Sequence, residues 1–144
     1  MDSWLIRDVN ALNGTVYFEF LRGRYQDTCW QPGSVFLDED SFGYIERYFQ
    51  KHLPSYDHYS FVQVNGSLWR DILSDLRSLV DFLGTDPSAP ELSHRISYFS
   101  LEAESNFFSD RSGNVARLRT TVRELCDWVE ENLPEYEMIS VLGI

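Results

Sequence analysis

Few side chains in this sequence are of the types and spacings that do covalent or acid–base chemistry. Two cysteines, Cys29 and Cys126, and three histidines, His52, His58 and His94, are scattered along the 144 residues. A cysteine nucleophile needs an imidazole within hydrogen-bond reach. Cys29 beside one of the histidines, or a pair of carboxylates, would supply a small hydrolase, but no local signature accompanies either residue type. Asp57 precedes His58, yet neighbours on a strand point to opposite faces, so the acid would not orient the ring. A glycine-rich phosphate loop, a Gly-x-Ser-x-Gly turn and a His-Glu-x-x-His helix are all missing. No Cys-x-x-Cys pair is present to hold a structural zinc. Asp38, Glu39 and Asp40 lack the spaced oxygen donors and loop glycine of a calcium loop. They read instead as acids set against the positive end of a helix. No catalytic residue, cofactor or metal is therefore assigned, and the expectation is a binding protein and not an enzyme.

Charge narrows the partners. The net charge is −11, and the cations are eleven arginines and one lysine, Lys51. Such a surface repels nucleic-acid phosphates and anionic lipid, and it steers basic proteins inward. Aromatic residues are abundant, with ten Phe, eight Tyr and four Trp. Tyr and Trp at a surface suit interfaces, having an apolar body and a polar tip. Two stretches combine these properties. Glu102 to Gly113 reads as a polar loop bearing Glu102, Glu104 and Asp110 around Phe107 and Phe108. That aromatic pair either anchors the loop in the core or offers a ring to a partner. The second stretch carries Asp127, Glu130, Glu131 and Glu135, preceded by Arg117, Arg119 and Arg123. This order is the reverse of what a helix dipole favours, and such departures can mark a functional face. These nine residues, Glu102, Glu104, Phe107, Phe108, Asp110, Asp127, Glu130, Glu131 and Glu135, are the candidate partner-binding set.

The elements that would position them follow from periodicity. Val115, Leu118, Val122, Leu125, Val129 and Leu133 recur at steps of three and four. They predict a helix from Asn114, its N-cap, to Leu133, where Pro134 should end it. The apolar run Met138–Ile144 predicts a strand buried on both faces and lying inside a sheet. Thr15–Leu21 alternates as a strand, and Ser34–Leu37 and Tyr59–Val64 read as two more. Ser3–Val9, Tyr25–Trp30 and Arg95–Leu101 are further strand candidates. Helices are expected over Asp38–Leu53 and from Asn65-Gly66-Ser67 to Leu83, with Gly84 as the glycine beyond its end. Thr85–Ser93 reads as a surface loop. The fold class expected is one α+β domain over residues 1–144. A mostly antiparallel sheet of about five to seven strands would carry three helices.

The closing pattern Glu124-Leu125-Cys126-Asp127-Trp128-Val129-Glu130-Glu131-Asn132-Leu133, then Tyr136 and Ile139-Ser140-Val141-Leu142-Gly143-Ile144, resembles the tails of small acidic bacterial immunity proteins. Those belong to polymorphic or contact-dependent inhibition toxin systems. The resemblance implies a protein that neutralises a cognate toxin domain, in some cases a nuclease, by non-catalytic occlusion. It carries over no binding motif. An adaptor or chaperone subunit is the other non-catalytic alternative, and homodimerisation is compatible with each. No apolar stretch of signal-peptide length follows Met1, so a cytoplasmic protein with reduced thiols is expected.

Overall fold

A computed structural model describes residues 2–144. Its sheet contains β1 (Tyr17–Arg22), β2 (Val35–Asp38), β3 (Phe61–Asn65) and β4 (Met138–Leu142). The order is β2-β1-β4-β3, with every pairing antiparallel. The last strand of the chain is thus interior to the sheet, and Ile139 to Leu142 are all buried. An uninterrupted apolar run suits only such a position. Its one polar residue, Ser140, donates its hydroxyl to the Gly23 carbonyl at 2.7 Å.

Six α-helices lie among the described residues: α1 (Glu39–Gly43), α2 (Glu46–His52), α3 (Gly66–Leu83), α4 (Ala89–Ser93), α5 (Leu101–Ser109) and α6 (Arg111–Tyr136). Alternation along β1 sends Phe18 and Phe20 to one face, where they meet Phe42, Phe49 and Trp69. Each such ring, fully withdrawn from water, contributes roughly 2–3 kcal/mol. The Trp69 indole N–H donates to the Ile139 carbonyl at 3.0 Å, so this tryptophan locks α3 to the central strand. The opposite face of β1 is closed by the loop between β1 and β2. Glu19, 1 % exposed, accepts from the backbone N–H of Trp30 at 2.8 Å and of Gln31 at 3.0 Å. The Ser34 hydroxyl donates to it at 2.7 Å. A buried carboxylate satisfied by three donors is how a polar residue can occupy a two-sided strand.

The expectation of five to seven strands and three helices is corrected to four strands and six helices, four of them of seven or more residues. Three expected strands pair with no strand ladder. Ser3–Val9 gives a single bridge, Ile6 to Phe36. Tyr25–Trp30 is the loop folded over Glu19. Arg95–Leu101 runs beside a broken helix instead of a strand: Ser97 donates from its N–H to the Tyr44 carbonyl at 3.2 Å and from its hydroxyl to the Gly43 carbonyl at 2.8 Å. Those carbonyls are free because the expected 38–53 helix divides into α1 and α2 at Tyr44 and Ile45. The expected loop Thr85–Ser93 contains α4, opened by a Ser88–Glu91 capping box. Gly84 caps α3 without a left-handed backbone, its φ being −73°.

The long helix also differs at both ends. Asp110 and not Asn114 caps α6, accepting from the Gly113 N–H at 3.2 Å. Pro134 lies inside it. Proline removes one backbone donor, and with barely a turn remaining the loss is small. The left-handed Glu137, φ 63°, then ends the helix by donating to the Leu133 carbonyl at 2.8 Å. No helix among the described residues is long and apolar enough to cross a membrane.

Candidate interaction surface

The nine residues expected to meet a partner do not share one face. Glu102–Gly113 is helical and not a loop, forming α5 and the first turn of α6. Ala103 and Phe107, four apart, form its buried stripe. Phe107 is 1 % exposed and packs on Tyr44, with ring centres 5.0 Å apart. Phe108 is half-buried against Tyr98. The aromatic pair therefore anchors the core, and Phe107 is unable to reach a partner. Glu104 is half-buried, Glu102 is exposed, and Asp110 caps α6. Asp127 lies seventeen residues further along α6, about 26 Å away at 1.5 Å per residue. Arg77 of α3 holds both Asp127, at 2.7 Å, and Glu130. Glu131 and Glu135 are exposed. The reversed charge order of this helix is met by tertiary partners. Besides Arg77, Arg119 donates to the Val80 carbonyl at 3.1 Å, and Arg117 lies over the Trp4 ring, 5.1 Å from its centroid.

A different surface gathers exposed apolar side chains with acids. Leu101 is 85 % exposed, Tyr59 68 % and Phe99 43 %. His58 links Tyr59 and Phe99. Its ring stacks on Phe99 at 5.4 Å between centres, meets Tyr59 edge-on at 4.9 Å, and faces Phe18 of the core at 4.9 Å. Behind these rings His58 bridges two helices. Nε2 lies 2.6 Å from Glu39 of α1 and Nδ1 lies 2.7 Å from Glu46 of α2. The Tyr56 hydroxyl donates to the same Glu46 oxygen at 2.8 Å. Burial alone would lower the His58 pKa. Hydrogen bonds donated to Glu39 and Glu46, with the charge of both, outweigh it and hold the group above its ordinary value. An imidazole can donate from both nitrogens only as the cation.

The backbone beneath the rings is tightly fitted. A Cβ on Gly43 would stand 2.9 Å from Phe99 Cβ and 3.0 Å from Phe99 N. One on Gly143 would stand 2.7 Å from the Ser60 carbonyl and closer still to that of His58. Both positions need glycine for close approach. Gly143 and Ile144 donate in turn to the Ser60 and His58 carbonyls, at 3.0 and 3.4 Å. The end of the chain therefore fixes the turn that presents Tyr59.

Acids border the rings. Asp38, Glu39, Asp40 and Glu102 converge where α1 and α5 begin. Partial burial, then the charges of Asp38, Glu102 and Glu39, raises the Asp40 pKa. Val16 lines one depression with Asp38, Glu39 and Asp40. Asp57 stands on the turn before His58. Arg117 is the cation at this margin, sharing a second depression with Asp38 and Asp40. No protein-family model, curated protein or solved structure matches the chain.

Of this surface, sequence reasoning reached Glu102 and missed the rest. The acids of 38–40 were read as capping alone, and Asp38 is indeed the N-cap of α1. A usable signal existed at Ser100: a capping residue followed by Glu102 and Glu104 is a helix start, which puts Leu101 on the first, exposed turn. Cys29 is a free, half-buried cysteine in the loop between β1 and β2. Burial, then the charge of Glu19, raises its thiol above the ordinary value, against a hydrogen bond from Tyr25. Both nitrogens of His58 are already engaged.

Proposed function

We propose that this chain is an immunity protein that neutralises a cognate toxin domain in the cytoplasm by covering it, without catalysis. The observation that carries the reading is the exposure of Tyr59, Phe99 and Leu101 on one rigid support beside Asp38, Glu39, Asp40 and Glu102. Large apolar anchors within a charged rim are what concentrates binding energy in a protein interface. The sign of the rim selects a basic partner, and the net charge of −11 speeds its approach. A basic toxin surface, such as the phosphate-binding cleft of a nuclease, has that complement. An adaptor subunit would favour a wider apolar patch, whereas here carboxylates interrupt the apolar residues.

The test is titration calorimetry against the toxin domain encoded beside this chain, with cell survival as a second readout. Leu101→Arg and Tyr59→Ala should each weaken the complex by at least roughly 30-fold, as expected of central anchors. Glu131→Arg, at the far end of α6, should change affinity by less than roughly threefold. A neighbouring product that carries no toxin domain sinks the reading. Equal binding by Leu101→Arg sinks the proposed face.

A further inference from the structure

A second feature has the opposite sign. The α2 residues Arg47, Tyr48 and Lys51, the α3 residues Asp75 and Ser78, and His94 with Arg95 beyond α4 enclose a cleft of about 480 Å³. That lies within the roughly 300–1,000 Å³ of small-molecule sites. Three of the twelve Lys and Arg residues line it, including the only lysine, against one carboxylate.

That carboxylate is already neutralised. Asp75 accepts from Lys51 at 2.9 Å and lies 2.6 Å from His52 Nε2. Hydrogen bonds from His52 and Lys51 outweigh its burial and lower its pKa. Neither Arg47 nor Arg95 forms an ion pair with a carboxylate among the described residues. Each is nevertheless held in place. Arg47 donates one N–H to the Ile96 carbonyl at 3.3 Å. Arg95 donates to the Ser78 hydroxyl at 3.2 Å and lies 4.5 Å from the centre of the Phe82 ring. The Tyr48 hydroxyl donates to the Arg95 carbonyl and fixes its backbone. A guanidinium carries five N–H donors in a rigid fork, so donors remain on both arginines. Two unpaired guanidiniums held in position around a cleft form a preorganised receptor for a tetrahedral oxyanion.

We propose that this cleft binds a small phosphate-bearing anion, with Arg47 and Arg95 as its forks. The acidity of the whole chain does not forbid this. Screening limits surface electrostatics to about 8 Å at physiological salt, so a small anion in the cleft feels mainly the cations that line it. A long polyanion would extend beyond them onto the acidic surface. The site shares no residue with the proposed toxin-binding face, and either can fail alone.

The experiment titrates the full-length protein with inorganic phosphate, with pyrophosphate and with a nucleoside diphosphate, in chloride buffer, by calorimetry and amide NMR. At least one should bind saturably, with shifts centred on Lys51, Ser78 and Arg95. Inorganic phosphate binding as well as the nucleotide identifies free phosphate as the ligand, and tighter binding of the nucleotide identifies a phosphate ester. Arg47→Gln and Arg95→Gln should each weaken binding by roughly 10-fold or more. Unchanged thermal unfolding of each variant separates loss of the site from loss of the fold. Absence of saturation by any probe at roughly 10 mM overturns the proposal. So do shifts spread over the surface, or affinities that both substitutions leave intact.

Discussion

Replacing His58 tests the support beneath the proposed interface. The ring holds α1 to α2 through Glu39 and Glu46 and backs Tyr59 and Phe99. Its side chain is 15 % exposed, and those of its two partners are 18 % and 12 % exposed. Neither the negligible value of a surface pair nor the full cost of a buried one applies. Two charge-assisted hydrogen bonds at the low end of their range give about 3 kcal/mol for His58→Ala. For a chain of this size that lowers Tm by roughly 10 °C. His58→Gln keeps one donor group and should cost about half as much. The pH dependence is the sharper readout. The folded-state pKa is raised from 6.5, so the stabilisation is complete below that value and is lost as pH rises through the folded one. Above it the neutral ring has a single N–H and leaves one carboxylate facing a lone pair. Urea unfolding of wild type and His58→Gln should therefore differ most near pH 6 and converge toward pH 9, by about 1–2 kcal/mol. Taking the difference between the two proteins cancels His52 and His94. A gap that stays constant or widens with pH would refute the bridging cation.

Three further outcomes follow from packing. Glu19→Ala strands the backbone donors of Trp30 and Gln31 and the Ser34 hydroxyl; a loss of about 3–5 kcal/mol is expected in urea unfolding, with a change in tryptophan fluorescence from Trp30. Gly143→Ala drives a methyl group into the carbonyls of His58 and Ser60; about 2 kcal/mol should be lost, and the NMR signals of Tyr59 should move with it. Phe107→Ala should cost about 3–5 kcal/mol and Leu101→Ala less than about 0.5; equal values from thermal unfolding would contradict their opposite burial.

Where one face of an element repeats, the sequence was readable. The stripe Leu68, Ile72, Leu76, Leu79 and Leu83 belongs to α3, whose bounds reach Leu83 as expected. Alternation of Phe18 and Phe20 belongs to β1, and the two-sided apolar tail is the interior strand. One departure lies between Arg95 and Gly113. Ile96, Tyr98, Phe99 and Leu101 suggest a strand by residue type, but Phe99 and Leu101 are solvent-facing. Ser97 of that stretch donates its N–H to the Tyr44 carbonyl and its hydroxyl to the Gly43 carbonyl, about fifty residues away, and no local pattern reports such partners. The break between α1 and α2 is hidden for the same reason. Composition did point to acids and rings at a surface. Their meeting point depends on His58, whose partners Glu39 and Glu46 lie 19 and 12 residues away and not next to it as Asp57 does.

The net charge of −11 is a sum, and its parts are segregated. Asp38, Glu39, Asp40 and Glu102 lie together at the starts of α1 and α5, while Arg47, Lys51 and Arg95 line a cleft between α2, α3 and the segment after α4. A large approaching macromolecule spans many of these charges at once, so a basic protein is drawn in and a polyanion is turned away. At contact each ligand responds to what lies within about 8 Å. The acidic face can then hold a protein by its apolar anchors, with charge contributing mainly to orientation and rate. The cleft can bind a small anion by direct hydrogen bonds from the arginines that line it. Added salt should therefore slow association at the face and, by screening Arg47 and Arg95, also weaken anion binding at the cleft. The two sites are told apart by their residues: Arg47→Gln should weaken anion binding and leave the association rate at the acidic face unchanged.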